Sequence, residues 1–367
     1  MYEWDMETGK RRKLHPELKK TETVREIHRA IGDEDAAIEL VEKWRWGNNP
    51  TCPHCGSCNV YTMTDAATGD RNKRRLWRCR TCTKQYTVRI GTVMERSHLP
   101  MWCWVYAIWR AASSKKGVAA LEIMRHCQIT YRAALFMLTR IRCGVSDPEV
   151  EAEMLLALAA LPDEEEEEEP KKGKKSKKLT KIVEADETYC GGKPRKKGVS
   201  KRGRGTKKIP VFAAVERYGP VRACVVTSIT GARLKKALRE MVDPEAIILT
   251  DELTSYNGLG KEFAAHHTVN HGSKQYARPW PGEPPQSAMG DSLHTNTVES
   301  FFALIKRGLM GIYHALSPRH LHRYISEFQW RYNIRDLNDG DRTVLGIQLM
   351  VGKRLTYRQS LLPQQVQ

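Results

Sequence analysis

The stretch KIVEADETY, residues 181–189, decides the fold of the C-terminal part of this 367-residue chain. It follows a charged, low-complexity segment, and its apolar residues predict the first strand of a new domain. Two further apolar runs, at 211–229 and 246–251, predict a hairpin and a buried strand. The other predicted elements are a short strand near 266–270 and helices at 232–241, 296–309 and 318–333. This order of strands and helices predicts an RNase H-like α/β domain.

Charge patterning marks the boundary in front of this domain. Residues 164–169 are six consecutive glutamates, and the lysine-rich run KKGKKSKK follows at 171–178. Such charge blocks do not build a core, so residues 161–180 are predicted to be a flexible linker. The other predicted parts are an N-terminal helical segment at 1–50, a cysteine-rich module at 51–95, a helical region at 100–160, the α/β domain at 181–335 and a C-terminal tail at 336–367.

The chain as a whole is strongly basic. Its 61 Lys and Arg residues outnumber its 43 Asp and Glu residues, which gives a formal net charge of +18 and favours a polyanionic partner. No apolar run approaches the roughly 18 residues that span a bilayer, and the polar N-terminus is not a secretory signal. We therefore expect a nucleic-acid partner, no membrane, and a reducing compartment. That compartment is the bacterial cytoplasm at the nucleoid, or the nucleus if the source is eukaryotic.

Two cysteine pairs predict a structural zinc site. Cys52-Pro-His-Cys55 is followed by Cys79-Arg-Thr-Cys82, and each pair offers two thiolates from one tight turn. The segments between the pairs resemble the strands of a hairpin, as in a zinc ribbon. His54 and Cys58 lie close by, but the spacing favours the four named cysteines. The flanking basic residues suggest phosphate contacts or, alternatively, a solvated basic face; they are Arg71, Lys73, Arg74, Arg75 and Arg78.

Residues 118–142 are predicted to form a helix, a short turn and a second helix that Thr130 can cap. Such a helix-turn-helix places its second helix in a major groove of DNA. The side chains then near DNA are Tyr131, Arg132, Thr139, Arg140 and Arg142. Two helices with a short turn also occur in many helical domains, so the basic zinc ribbon beside them carries part of this prediction.

Three acidic residues stand out by their positions in the α/β domain. Asp186 lies in the first strand, Asp251 ends the buried strand IILTD, and Glu299 opens a helix. Each taken alone also fits a surface charge, but an acid at the end of an apolar strand is costly without a partner. Converging carboxylates supply the oxygen ligands that two divalent cations need for phosphoryl transfer. Lys306, seven residues after Glu299 on one helix face, can meet a phosphate there or remain a solvated lysine.

Three blocks of sequence carry a resemblance to a known family. ADETYCGGK, LTDELTSY and HTNTVESFFALIKRG, together with CPHC and WRCRTCTKQYTVRIGTVMERSHLP nearer the N-terminus, resemble bacterial insertion-sequence DDE transposases with an N-terminal zinc ribbon. These enzymes are related to the Merlin elements of eukaryotes. The resemblance covers roughly residues 25–335. The run of six glutamates before the first strand departs from the family pattern.

The resemblance implies a function and a set of site residues. It implies that Asp186, Asp251 and Glu299 are the catalytic carboxylates, which bind two Mg²⁺ or Mn²⁺ ions, with Lys306 as the basic residue after the Glu. Asn296 lies in the same block and is an alternative third ligand. The expected reaction is strand cleavage at the inverted-repeat ends of a mobile element, followed by strand transfer into target DNA. Two ends must be held at once, so a homodimer or larger assembly on double-stranded DNA is expected.

The glycine-rich loop at 191–208 is expected to follow the DNA backbone, with binding that weakens steeply as salt rises. Its basic residues include Arg195, Lys196, Lys197, Arg202 and Arg204. Three other classes of function remain open at this point. They are a catalytically inactive, zinc-dependent DNA-binding regulator derived from a transposase, a stand-alone nuclease of the RNase H-like class, and a protein-interaction module built on the zinc site.

Overall fold

The computed structural model describes residues 2–4, 11–13, 22–146, 178–191, 208–270, 277–285, 288, 292–314 and 316–361. The chain divides into two compact units. Unit 1 comprises Met1–Val145 and Ile334–Leu362, and unit 2 comprises Ser146–Asn333 with the last five residues. The charged linker predicted at 161–180 lies almost wholly outside the described residues, as does the end of the predicted helical region after residue 146.

Unit 1 is mainly helical and contains a small three-stranded sheet. Its helices are α1 Glu22–Ala30, α2 Glu34–Trp46, α3 Met101–Ser113, α4 Ala120–Cys127, α5 Tyr131–Val145, α9 Asp339–Leu349 and α10 Tyr357–Leu361. The strands β3 Val60–Thr62, β4 Trp77–Cys79 and β5 Gln85–Tyr86 form the antiparallel sheet, and β1 Tyr2–Trp4 pairs antiparallel with β2 Arg11–Lys13. This composition confirms the predicted fold class of this part of the chain, a small β zinc ribbon accompanied by helices.

Local chemistry explains the break between α1 and α2. Gly32 has a φ of 90°, which favours glycine, and ends the first helix. The Asp33 carboxylate then accepts hydrogen bonds from the backbone N–H groups of Asp35 (3.0 Å) and Ala36 (3.1 Å). Asp33 is therefore the N-cap of α2 and satisfies N–H groups that have no partner within the helix.

The C-terminal residues are part of unit 1, which corrects the predicted tail at 336–367. Helix α9 packs against α1, α2, α3 and α5. Its residues Val344 and Ile347 are buried, and so is Met350, which follows it. A Cβ atom added to Gly144 in α5 would lie 2.4 Å from Met350, so only glycine fits this close approach. The prediction was wrong because this segment carries no motif, whereas its apolar side chains complete a core started 200 residues earlier.

Unit 2 is built on a five-stranded mixed sheet. Its strands are β6 Ile182–Cys190, β7 Ile209–Glu216, β8 Val221–Val225, β9 Ile247–Thr250 and β10 Ala265–Thr268. The spatial order is β10-β9-β6-β7-β8. β7 is antiparallel to both β6 and β8, whereas β9 is parallel to both β6 and β10. Three antiparallel strands followed by two parallel strands on the other side of the first strand confirm the predicted RNase H-like architecture.

Helices cover both faces of this sheet. Helix α6 Gly231–Met241 packs its Leu234 and Leu238 against one face. The other face packs against α7 Asn296–Gly308 and α8 Leu321–Asn333, through side chains that include Phe301 and Phe328. Because alternate residues of a strand point to opposite faces, each residue of β6 belongs to one of these two layers.

Helix α8 also protects the open edge of the sheet at β8. The Gln329 side chain accepts a hydrogen bond from the Ala223 backbone N–H at 2.8 Å, and the Asn333 side chain accepts one from Val221 N–H at 2.8 Å. Gln329 and Asn333 are four residues apart and therefore lie on one side of the helix. An unpaired strand edge invites pairing with another chain, so these contacts keep β8 from acting as a template.

Candidate functional site

The four predicted zinc ligands are brought together in unit 1. Cys52 Sγ lies 3.6 Å from Cys82 Sγ, and Cys55 Sγ lies 3.6 Å from Cys79 Sγ. All four sulfur atoms lie within 4.8 Å of one another. Zn–S bonds of about 2.3 Å in a tetrahedron separate the sulfurs by about 3.8 Å. The donor set and its spacing therefore fit a structural Zn²⁺ ion.

The turn that carries Cys79 and Cys82 favours the metal-binding form of Cys79. The Cys82 backbone N–H donates to Cys79 Sγ at 3.5 Å, and such hydrogen bonds from Cys82 and then Thr81 lower the pKa of Cys79 to about 6. A lower pKa favours the thiolate, which is the form that binds metal. Cys58 is exposed and outside the group of four, and His54 packs its ring against Tyr86.

Two of the basic residues beside the ribbon have structural partners. Arg71 makes two hydrogen bonds to the Glu42 carboxylate of α2, at 2.9 and 2.6 Å. Arg75 pairs with Asp35 and Glu39 of the same helix at 2.8 Å. These cations attach the ribbon to α2. Lys73 and Arg74, at the tip of the hairpin between β3 and β4, are exposed. They remain candidates for the predicted phosphate contacts.

The predicted helix-turn-helix consists of α4 and α5. Gln128, with a φ of 53°, ends α4, and the Thr130 hydroxyl accepts a hydrogen bond from Ala133 N–H at 3.2 Å, as a cap of α5 does. Tyr131 is 48% exposed, and Arg132, also exposed, lies over the Tyr357 ring. The first turn of α5 is therefore accessible.

Arg140 and Arg142 are not on that accessible surface, which corrects their assignment as DNA-binding residues. They retain only 6% and 2% of their exposure. The Arg140 guanidinium packs on the rings of Trp104 and Phe136 and donates to the Glu95 carbonyl. Residues two apart in a helix point to nearly opposite sides, so the burial of both arginines shows that the C-terminal half of α5 is covered on more than one side. The basic loop residues Arg195, Lys196, Lys197, Arg202 and Arg204 lie outside the described residues.

In unit 2, Asp186 lies in β6, and Asp251 directly follows β9, the strand that pairs parallel with β6. The pairing ends with Glu184 opposite Leu249, so both aspartates lie two residues beyond the same end of it. Asp186 also lies opposite Ala213, which belongs to the layer covered by α7 and α8. Asp186 therefore lies on the face of the sheet toward the helix that carries Glu299.

Burial and neighbouring negative charges both act on Asp186. Burial raises the pKa of Asp186 to about 8, and the negative charges of Glu187, Asp251 and Glu299 contribute to this increase. The oxygen atoms of Asp186, Asp251 and Glu299 do not all lie within 4.8 Å of one another. The chemistry of the three donors fits Mg²⁺ or Mn²⁺, because both ions favour carboxylate oxygens.

The helix α7 carries the remaining predicted residues. Glu299 is exposed in its first turn and accepts a hydrogen bond from the Thr295 hydroxyl at 3.4 Å. Asn296 and Lys306 are exposed on the same helix. The positive charge of Lys306 acts on the buried Cys190 thiol of β6, in the layer on which Asp186 also lies. Lys306 therefore lies toward the side of the sheet that carries the acids.

Sequence reasoning missed a buried network around Glu184. This carboxylate is 0% exposed and forms an ion pair of 2.9 Å with Arg217, itself buried. Burial raises the pKa of Glu184, but hydrogen bonds from His294, Arg217 and Thr297 outweigh burial and lower it below the ordinary value. The available signal was an acid in an apolar strand, two residues before Asp186 and on the same face. A second contact joins Tyr256 Oη to the Glu187 carboxylate at 2.7 Å.

Comparisons with known families match both units. Residues 178–333 match the model of the ISXO2-like transposase domain, and residues 32–85 match that of the transposase zinc-ribbon domain. The two models together cover more than half of the chain. None of the helices in the described part of the chain combines the length and apolar character that crossing a bilayer requires.

Individual relatives point the same way. The chain is 24% identical, over 82% of its length and 91% of the relative, to an uncharacterized protein in transposable element ISH50 of Halobacterium salinarum. It is 27% identical, over 31% of its length and 80% of the relative, to an uncharacterized transposase-like protein of Haemophilus influenzae. A crystal structure of a pre-cleavage Mos1 transpososome matches 65% of this chain and 75% of that one, at 14% identity. Its TM-score of 0.21 is too low to support an argument.

Proposed function

The chain belongs to the insertion-sequence transposases that carry a zinc ribbon and an ISXO2-like transposase domain, and on this premise we propose that it cuts and joins DNA at the ends of its element. The observation that carries the proposal is that Asp186 of β6 and Asp251 after β9 follow the same end of a parallel strand pair, with Asp186 on the face of the sheet that the helix of Glu299 covers. Phosphodiester chemistry requires such a group of hard oxygen donors.

The three acidic residues are the metal ligands of the proposed site. Asp186, Asp251 and Glu299 would together hold two Mg²⁺ or Mn²⁺ ions. Ions bound there would activate the attacking oxygen and stabilise the leaving oxygen. Lys306 contacts a phosphate beside the carboxylates and offsets its negative charge. In this role Glu299, rather than Asn296, is the third ligand, because hard cations favour a carboxylate oxygen.

The proposed reaction has two steps. Water attacks the phosphorus atom at the end of the element, and the 3′ oxygen leaves and takes up a proton. The resulting 3′-hydroxyl then attacks a phosphodiester of the target DNA, which forms one phosphodiester bond as another breaks. Burial and neighbouring negative charges raise the pKa of Asp186 and disfavour its charged form. Cations bound beside it would stabilise that charged form, so the site favours cation binding.

Recognition of the element ends is assigned to unit 1. The accessible first turn of α5, with Tyr131 and Arg132, enters a groove of the duplex, and Lys73 and Arg74 of the ribbon contact phosphates. The basic loop at 191–208 adds non-specific contacts to the backbone. A structural Zn²⁺ ion on the four cysteines holds the ribbon in shape. Two ends act together, so a homodimer or larger assembly forms on DNA, in a bacterial cytoplasm or in a nucleus.

The test is strand cleavage and joining on a duplex that carries one end of the genetic element encoding the chain. Wild-type protein and Asp251→Ala are compared with Mg²⁺, with DNA binding followed in parallel. We expect cleavage and joining by the wild type, no cleavage by the variant, and equal DNA binding by both. End-specific binding without metal-dependent cleavage in either protein would contradict the proposal and favour the alternative, an inactive zinc-dependent DNA-binding regulator.

A further inference from the structure

The buried Glu184 carboxylate is surrounded by polar contacts. An unpaired charge in this position would be very costly, and five nitrogen and oxygen atoms from two other segments of the chain surround it. The contacts are to Arg217 Nε at 2.9 Å, Thr297 N at 2.7 Å, Thr297 Oγ1 at 2.9 Å, Val298 N at 3.1 Å and His294 Nδ1 at 3.2 Å.

Two of these donors are backbone N–H groups in the first turn of α7. Thr297 and Val298 are the second and third residues of this helix, and their N–H groups have no partner within it. Thr295, which precedes the helix, makes no side-chain hydrogen bond of the capping kind. Glu184 therefore caps α7 from a different element, strand β6, and places a negative charge at the positive end of the helix.

Arg217 joins a third segment to this contact. It follows β7, and it uses Nε to bind Glu184 and Nη2 to donate to the His294 carbonyl at 3.1 Å. His294 lies just before α7. The carboxylate and the guanidinium together hold β6, the end of β7 and the segment leading into α7 in one arrangement.

The position of Glu184 connects this arrangement to the proposed metal site. Glu184 and Asp186 are two residues apart on β6, so both side chains lie on the same face, about 7 Å apart along the strand. Glu299 follows directly after Val298, one of the residues that Glu184 binds. Because Glu299 is an exposed side chain in the first turn, the position of that turn determines where its carboxylate lies.

We propose that Glu184 is a positioning residue: it holds the N-terminus of α7 against β6 and thereby sets the distance from Glu299 to Asp186 and Asp251. This inference rests on the proposed function. Glu184 itself has no place among the metal ligands, because its two oxygen atoms are occupied by protein donors. Residues that orient metal ligands in this way commonly change metal affinity or activity by about 10–100-fold when replaced.

The test uses Glu184→Gln in the full-length protein, with Mn²⁺ as the probe. Mn²⁺ binding is measured without DNA by electron paramagnetic resonance, and cleavage of the end duplex is measured as a function of Mn²⁺ concentration. We expect the Mn²⁺ concentration for half-maximal binding and cleavage to rise about tenfold or more. High Mn²⁺ restores part of the cleavage, because bound cations draw the carboxylates together.

A matched control separates positioning from general stability. Glu327 and Arg331 of α8 form another buried pair, with 2.5 Å between carboxylate and guanidinium. Glu327→Gln is expected to lower the thermal midpoint of unfolding but to keep the Mn²⁺ dependence of the wild type. Thr297→Val removes one hydroxyl hydrogen bond to Glu184 and keeps the side-chain shape. We expect it to fold and to shift the Mn²⁺ dependence in the same direction as Glu184→Gln by a smaller factor.

Each outcome bears on one claim or the other. An unchanged Mn²⁺ dependence in both Glu184→Gln and Thr297→Val overturns the positioning role, and so does an equal shift in Glu327→Gln. Wild-type protein that binds Mn²⁺ but does not cleave overturns the proposed function alone, and the binding titrations then still decide the role of Glu184. Wild-type protein that neither binds Mn²⁺ nor cleaves overturns both.

Discussion

The two candidate metal sites of this protein are built in opposite ways. The zinc site takes all its ligands from two turns, Cys52–Cys55 and Cys79–Cys82, and its sulfur atoms are already within 4.8 Å of one another. The carboxylate site takes Asp186, Asp251 and Glu299 from two strands and a helix that span more than 100 residues of sequence. Burial and, after it, neighbouring negative charges raise the pKa of Asp186.

The difference concerns where the free energy of assembly comes from. In the ribbon, the metal stabilises a module too small to have an adequate core, so ligand spacing and fold depend on one another. In unit 2, the hydrophobic layers on both faces of the sheet position the carboxylates and offset their repulsion. The first site should therefore lose its fold without metal, whereas the second should keep its fold and become more stable when a charge is removed.

Loss of one zinc ligand is expected to have the largest effect. Cys55→Ser should abolish zinc binding and unfold the ribbon, because binding to such sites is worth about 10 kcal/mol or more. Zinc content per chain and tryptic cleavage within 51–90 report the change. Cys58→Ser is the control, since Cys58 lies outside the group of four and should retain zinc. A ribbon that resists trypsin without zinc would remove the contrast between the two sites.

Removal of the C-terminal segment after residue 333 is expected to have the second largest effect. A chain ending at residue 333 loses the buried side chains of Val344, Ile347 and Met350 from the core of unit 1. At about 1.5–3 kcal/mol for each, the loss is about 6 kcal/mol, comparable to the stability of a whole domain. Unit 1 should lose its cooperative unfolding transition in thermal denaturation, and unit 2 should retain its own. An unchanged transition for unit 1 would show that this segment is dispensable.

Asp186→Asn should lower the cleavage activity of the protein and raise its stability. We expect cleavage to fall by more than about a hundredfold, since even outer partners of metal ligands reach that range. The same variant should raise the thermal midpoint at pH 8 in the absence of added Mg²⁺, because it removes a carboxylate that burial and neighbouring charges disfavour.

The sign of the pH dependence follows from the raised pKa of Asp186. Between its ordinary pKa of 3.8 and about 8, the folded protein binds more protons at this residue than the unfolded chain does. This residue's contribution to stability is present at low pH and is lost as the pH rises to about 8. The gain from Asp186→Asn should therefore be larger at pH 8 than at pH 5. Equal or lower midpoints for the variant at pH 8 would contradict this reasoning.

Arg140 and Arg132 provide the smallest and most local comparison. They lie eight residues apart on α5, yet Arg140 is buried on two aromatic rings and Arg132 is exposed. Arg140→Ala should cost about 2 kcal/mol of unfolding free energy. Arg132→Ala should leave stability within about 0.5 kcal/mol and weaken binding of the end duplex. Urea denaturation measures the effect on stability, and DNA titration measures the effect on binding. Weaker DNA binding without a loss of stability in Arg140→Ala would return Arg140 to the DNA-binding surface.

Much of the architecture follows from local patterns. The paired cysteines predict their own site because two turns fix the distance within each pair. Asp33, Gly32 and Thr130 mark helix ends that the structure confirms, because the groups they satisfy are nearest neighbours in the chain. Asp186 and Asp251 could be selected as acids at apolar strands, but their alignment depends on the parallel register of β6 and β9.

Other features depend on contacts between distant segments. The burial of Arg140 and Arg142 depends on the packing of other helices around the C-terminal half of α5, and a basic residue in a helix carries no mark of this. Glu184 looks like one acid among several until Arg217 and the start of α7 are placed around it. The segment after residue 333 lacks a motif because its role is to fill space among helices of unit 1.

The sequence alone therefore determined the zinc ligands, the order of strands and helices and the identities of the candidate carboxylates. Each of these depends on turn geometry, hydrophobic periodicity or residue chemistry within a few neighbouring positions. Only the tertiary structure decided the return of the C-terminal helix to unit 1, the burial of two arginines and the attachment of α7 to Glu184. Those outcomes depend on packing and on the pairing of buried charges, which arise only when segments far apart in sequence come into contact.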